Sequence, residues 1–209
     1  GRDGMDITTY MAEYELEPLA PNEQIFKTFH WFDIAEAREY ECFVQWTDPA
    51  LSDKGDACYS ATVVLGKVKG AEWWGVTYAS VERREPTKII KDHNRIYRYH
   101  RDSFKAPVDA YMEENGFQLL LKQEAIVESV TDGDTVPTIG QRNTSNKQAR
   151  IRSLEPYISQ GFIRFRKDWE TAPEGYRLLL EQLMGFPQGA VDGPDALEGA
   201  HRQTQSRFY

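Results

Sequence analysis

The alternation of apolar and polar residues changes period several times along the chain. From residue 41 it has the two-residue rhythm of strands. "ECFVQWT" (41–47) is aromatic and β-branched and ends at the turn-rich "DPALSDKGD". "YSATVVLGKV" and "EWWGVTYASVER" follow in the same rhythm, joined by a Gly-bearing hairpin at "KVKGAE". Three successive antiparallel strands are expected. The period then lengthens: in "PTKIIKDHNRIYRYHRD", Ile89, Ile90, His93, Ile96, Tyr97 and His100 recur at helical spacing, and Pro86 suits the first turn.

Beyond that helix the two periods alternate. "APVDAYMEEN" reads as a short strand ending in acid, and "GFQLLLKQEAIVESV" as a helix. "DTVPTIGQ" is a strand after the loop "TDGD". "SNKQARIRSLEPYISQG" reads as one helix, capped by Ser145 and closed by Gly161. "FIRFRK" alternates as a strand, "EGYRLLLEQLMGF" is a helix, and a last helix opens within "AVDGPDALEGA". Residues 5–40 read as an irregular lead-in with a Pro-rich connection, "EPLAPNE", and a short helix at "DIAEAREYE". This order predicts an α/β fold, a mixed central β-sheet flanked by α-helices.

The chain has 209 residues, enough for one domain with a real core. No apolar run is long enough to cross a membrane, and no signal peptide is evident. The two cysteines, Cys42 and Cys58, have no metal-ligand spacing and read as buried thiols. The net charge of -8 argues against a polyanion partner, but its distribution is uneven. Up to Asp56 there are 13 acids and 4 bases; residues 141–167 hold 7 bases and one acid, and residues 83–105 hold 8 bases and 3 acids. Lys88, Lys91, Arg95 and Arg98 form one stripe of the first long helix, either a solvated face or one that faces phosphates.

Several acids stand at strand ends or helix starts. Asp48 closes the first strand, Glu113 and Glu114 close the strand after the basic helix, and Asp192 and Asp195 open the last helix. Singly, each reads best as a turn, surface or capping residue. Together they are different, because strand C-termini of an α/β sheet converge on one edge. A carboxylate cluster with no His or Cys companions suits Mg²⁺ or Mn²⁺. Two such ions about 4 Å apart would activate water and stabilise the leaving oxygen in phosphodiester hydrolysis.

Strand-ending "WTDPA", then "YMEENGFQ", "NKQARIRSLEP", "GFIRF" and "FPQGAVDGPDALEGA", in this order, resemble the C-terminal nuclease domain of the terminase large subunit of tailed bacteriophages. "MAEYELEPLAPNEQIF" resembles the segment that joins that family's ATPase domain to its nuclease. The last motif is also similar to that of Holliday-junction resolvases. The resemblance implies a ribonuclease H-like fold over residues 41–209, with residues 1–40 a lead-in from a missing ATPase domain. It implies metal-dependent endonucleolytic cutting of double-stranded DNA, which frees viral genomes from concatemers during packaging. Asp48, Glu113, Asp192 and Asp195 would be the metal-binding and catalytic acids, and Glu114 a bystander. Lys147, Arg150, Arg152, Arg83 and Arg84 would contact DNA. The implied partners are the ATPase domain, the portal and the small terminase subunit, in the cytoplasm of an infected bacterium.

Two departures stand out. The usual His-Asp-Asp of the last motif is here Val191-Asp192-Gly193, which leaves open which aspartate binds metal; Asp195, inside the helix, is preferred. No GxxxxGK[ST] phosphate loop occurs, so the chain reads as an excised domain or a stand-alone nuclease. Asp53 and Asp56 read as loop residues, His93 and His100 as core-edge residues, and His201 as a residue within reach of the acids. The competing functions are a junction resolvase or ribonuclease H-type enzyme, and a non-catalytic DNA-binding or portal-docking module.

Overall fold

β2 (Tyr40–Asp48, "YECFVQWTD") is an interior strand of the sheet, and eight of its nine residues are buried. A strand buried on both faces needs covering layers on both sides, and the sequence supplies them. The computed structural model describes residues 24–34, 39–49, 59–114 and 118–205. Seven strands form one sheet in the order β1-β7-β4-β3-β2-β5-β6. They are β1 (Trp31–Phe32), β2, β3 (Tyr59–Val68), β4 (Trp74–Arg83), β5 (Val108–Glu113), β6 (Thr138–Gln141) and β7 (Ile163–Arg166). β3 is antiparallel to β2 and β4, and every other pairing is parallel. Hence β2, β4, β5 and β6 all end at the same edge.

Among the described residues six helices cover the sheet: α1 (Pro86–Phe104), α2 (Gln118–Thr131), α3 (Lys147–Arg152), α4 (Glu155–Ser159), α5 (Glu174–Gly185) and α6 (Asp192–Gln205). α1 packs Ile96 and Tyr97 against Phe43, Val64, Val108 and Ala110 on one face. α2 joins it there, with Ala125 in contact with Ile90 and Met112. On the other face, Val44, Trp46, Val63, Leu65, Val76 and Val81 meet residues of α3 to α6. Among the described residues no helix is long and apolar enough to cross a membrane.

The expected order of elements holds from residue 59 onward, with local differences. The helix expected over 145–161 divides into α3 and α4, and Asn146 rather than Ser145 caps it, accepting from Ala149 N at 3.1 Å. The division follows Leu154, which turns into the core while Pro156 starts a new turn. Gly161 follows the C-cap of α4 with a φ of 76°, as a terminating glycine should. The helix expected at 33–41 gives way at Tyr40 and Glu41 to strand β2, which gains its hydrogen bonds from β3; residues 35–38 lie outside the described residues.

β1 is a strand that the lead-in did not suggest. Its Trp31 and Phe32 pair with Phe165 and Arg166 of β7. Phe26, also in the lead-in, is buried against Phe186 with ring centroids 5.8 Å apart. Residues 24–34 thus share the core of this sheet. Cys42 is a buried strand thiol, as expected; Cys58, Asp53 and Asp56 lie outside the described residues.

One contact sets the height of α6 along β2. Gly199 lies on the Trp46 indole so closely that any Cβ there would overlap its ring atoms. Ala196, Leu197 and Ala200 complete the buried stripe of the helix. Gly199→Val should therefore cost about 1–3 kcal/mol, the usual range for overpacking, read as a lowered denaturant midpoint.

Candidate metal centre

Asp48 and Glu113 are the last residues of adjacent parallel strands. The printed register pairs Trp46 with Tyr111 and Thr47 with Met112, and the same offset sets Asp48 beside Glu113. Both side chains are on the α6 face of the sheet, because Asp48 follows Val44 and Trp46 at two-residue steps. Helix and strand rises then bring the third acid. Gly199 sits over Trp46, and Asp195 lies four helical residues before it, about 6 Å. Asp48 lies two strand residues beyond Trp46, about 6.6 Å. Asp195 is therefore delivered over Asp48. Asp192, another turn earlier, passes the end of the strand.

The result is a group of three buried carboxylates, Asp48, Glu113 and Asp195, whose ligand atoms all lie within 4.8 Å of one another. Asp192 is outside this group and more exposed. The start of α6 is held from α5: Gln182 accepts from Gly193 N at 2.8 Å.

Two cations of α3 face the group. Lys147 Nζ lies 3.2 Å from Asp195 and 3.5 Å from Asp192. Burial pulls the Lys147 pKa down, but Asp195, Asp48 and Asp192 outweigh it and hold the ammonium above its ordinary value. Arg150 lies 2.8 Å from Asp195 and 3.2 Å from Glu198 of α6. Its side chain is 9% exposed, against 39% for Lys147. Burial raises the Glu198 pKa, against the pull of Arg202 and Arg150. Arg202 in turn lies over the Trp46 ring at 5.4 Å and donates to Asn143.

Three close carboxylates repel strongly unless positive charge joins them. Their oxygens are hard donors and suit Mg²⁺ or Mn²⁺, and no His or Cys belongs to the group. The donor set and its burial thus fit the expected divalent cations.

Among solved structures, the chain matches the human cytomegalovirus terminase nuclease domain with a TM-score of 0.63 and 12% identity, over 82% of this chain and 88% of that one. A manganese-soaked structure of that domain matches with a TM-score of 0.62 and 12% identity, over 85% and 90%. The P22 large terminase nuclease domain matches with 0.53 and 14%, over 88% and 93%. The fold is that of a terminase nuclease domain. No protein-family model matches the sequence, and no curated protein sequence does.

In this terminase nuclease fold the remaining candidates separate by location. Arg83 is exposed at the end of β4 and stacks on Tyr59 at 4.9 Å. Arg84 is buried and paired with Glu82 at 2.7 Å and Asp92 at 2.6 Å. Arg152 is exposed on α3. Glu114 pairs with Lys122 at 2.8 Å. In the α1 stripe, Arg95 is paired with Asp92, and Arg98 with Asp132 and Asp134. Lys88 and Lys91 are exposed in its first turns. Glu198, Arg202 and Asn143 were not singled out from sequence. The i, i+3, i+7 spacing of Asp195, Glu198 and Arg202 was the available signal, but it is also the spacing of an ordinary solvated helix.

Three of the four histidines are buried. His93 is in the core rather than at its edge, with Nδ1 2.9 Å from Thr47 Oγ1 and Nε2 3.0 Å from Thr138 Oγ1. His100 is equally deep, between Thr77 and Ile96 O. His201 packs against Tyr157 with tilted rings 4.2 Å apart, its Nε2 lies 3.3 Å from Gln205 Nε2 within α6, and it is not a member of the acidic group. Burial pushes all three down from 6.5 to about 4. Between these values the unfolded chain holds protons that the folded chain does not, so stability falls as pH drops from 6.5 toward 4. Denaturant midpoints across that window should show this fall, and His93→Gln should flatten it.

Proposed function

We propose that this protein is a metal-dependent endonuclease that cuts double-stranded DNA during genome packaging. The observation that carries the reading is the buried trio of Asp48, Glu113 and Asp195, set by two strand ends and a helix start. The terminase fold supports it, as does the manganese soak of a relative with the same fold. Asp48, Glu113 and Asp195 would hold Mg²⁺ or Mn²⁺, with Asp192 at the mouth. Two bound ions would supply Lewis acidity to the attacking water and the leaving oxygen.

The chain's own residues do the rest. Asp48 and Glu113 are fixed by strand register, so their spacing needs no reorganisation when substrate arrives. Lys147, half-exposed beside Asp192 and Asp195, neutralises the phosphate to be cut. Arg83, Lys88, Lys91, Arg142 and Arg152 are exposed and would hold the flanking backbone. Arg84 and Arg150 are omitted from that set because their guanidinium groups are buried in ion pairs. The ATPase domain, portal and small terminase subunit are the partners this role requires, in the cytoplasm of an infected cell.

Plasmid nicking with Mn²⁺ tests the reading. Wild type should cut and Asp48→Ala should fall to background. Wild type that is inactive across metals and salt, or an equally active Asp48→Ala, overturns it. DNA affinity, measured with Ca²⁺ to suppress cutting, should fall steeply with salt, and Arg152→Ala should reduce the slope of log K against log salt by about 0.9.

A further inference from the structure

Arg150 raises a problem for the metal centre. Its guanidinium Nη2 lies 2.8 Å from Asp195 Oδ1, an ion-pair contact that leaves this oxygen without a hydrogen bond, and a cation so close to a ligand oxygen competes with any metal for it. Lys147 lies against the other oxygen, Oδ2, at 3.2 Å. The two cations differ in how they are held. Lys147 is half-exposed and can swing into solvent. The Arg150 side chain is largely shielded from solvent and is tied by its second nitrogen to Glu198 Oε2 at 3.2 Å. Glu198 is itself buried, three residues after Asp195 on the same helix, with Arg202 Nε 4.0 Å from its other oxygen.

We infer that Glu198 is a positioning residue for the metal centre: by holding one arm of Arg150 it confines that guanidinium to one oxygen of Asp195 and keeps the other oxygen available to a cation. This rests on the metal-centre reading above. The geometry gives the reason. A guanidinium presents two parallel N–H groups that match both oxygens of a carboxylate. Without the Glu198 charge, Arg150 would turn both toward Asp195 and close it to metal. With that charge, the fork is shared between two carboxylates one helical turn apart. Glu198 is not one of the three clustered acids and acts through Arg150.

The test is Mn²⁺ binding by calorimetry on wild type, Asp48→Asn, Glu198→Gln and the double variant Arg150→Gln/Glu198→Gln. Glu198→Gln keeps the shape and removes the charge. Its Mn²⁺ binding should weaken on the order of 10-fold, the scale typical for partners that orient a metal ligand. The double variant removes the competing guanidinium and should regain affinity toward wild type. A merely structural role would lower the melting temperature of Glu198→Gln, and the double variant would fall further without regaining Mn²⁺ binding. Unchanged Mn²⁺ affinity in Glu198→Gln, beside tight wild-type binding that Asp48→Asn abolishes, overturns this inference alone. Absence of Mn²⁺ binding by wild type overturns the metal centre and this inference with it.

Discussion

The close approach of α6 to β2 governs the rest of the site. Three carboxylates from distant parts of the chain must meet in a buried space, and their mutual repulsion works against it. Packing supplies what electrostatics opposes. The Trp46 indole and the bare backbone of Gly199 bring helix and strand together, and the similar rises of four helical and two strand residues carry Asp195 to Asp48. Parallel pairing of β2 and β5 does the same for Glu113. The cost of gathering the acids is met partly by hydrophobic burial beneath them, where Trp46, Leu197 and Ala200 are inaccessible to solvent.

The charge arrangement follows from that geometry. α3 is only six residues long, yet it faces the cluster with Lys147 and Arg150, one turn apart on one side. α6 answers with Asp195 and Glu198 at the same spacing. Two short helical faces thus interlock by charge above an apolar layer. A buried ion pair contributes little net stability, because desolvation offsets attraction. Its effect here is orientation: it fixes which oxygen points where.

Much of this was legible from residue patterns, for identifiable reasons. β3 and β4 alternate cleanly because a two-residue period leaves few other solutions, and the pattern bounds β3 at the residues observed. Asp48, Glu113 and Asp195 could be proposed because the ends of parallel strands converge whatever the loops between them do. β1 was not legible, since two residues carry no period and Trp31 and Phe32 become a strand only by pairing with β7, far along the chain. The break between α3 and α4 was missed because Leu154 and Ile158 continue a helical period across it. Glu198 was passed over because a helical Glu normally faces water; only the tertiary position of Arg150 makes it a buried partner.

Charge counting along segments failed for a related reason. Both basic segments contain arginines already matched by acids remote in sequence. Arg98 and Arg101 meet Asp134, more than thirty residues away, and Arg150 meets Asp195 and Glu198, more than forty residues away. β7 pairs with the beginning of β4, so Arg164 and Arg166 sit at the end of the sheet opposite the acids. What remains is a smaller set: Arg83 at the end of β4, Lys88 and Lys91 in the first turns of α1, Arg142 just past β6, and Lys147 and Arg152 on α3. Arg83 and Arg142 follow strands that end at the same edge as β2 and β5, and α1 begins just after Arg83. A protein of net charge -8 can therefore present a basic rim around an acidic centre. On the proposed reading the acids would repel a phosphate that arrives without a cation between them, while the rim would hold its neighbours. Such an edge would favour a polyanion only when positive charge occupies the centre, and in the proposed function that would couple substrate binding to metal binding through electrostatics.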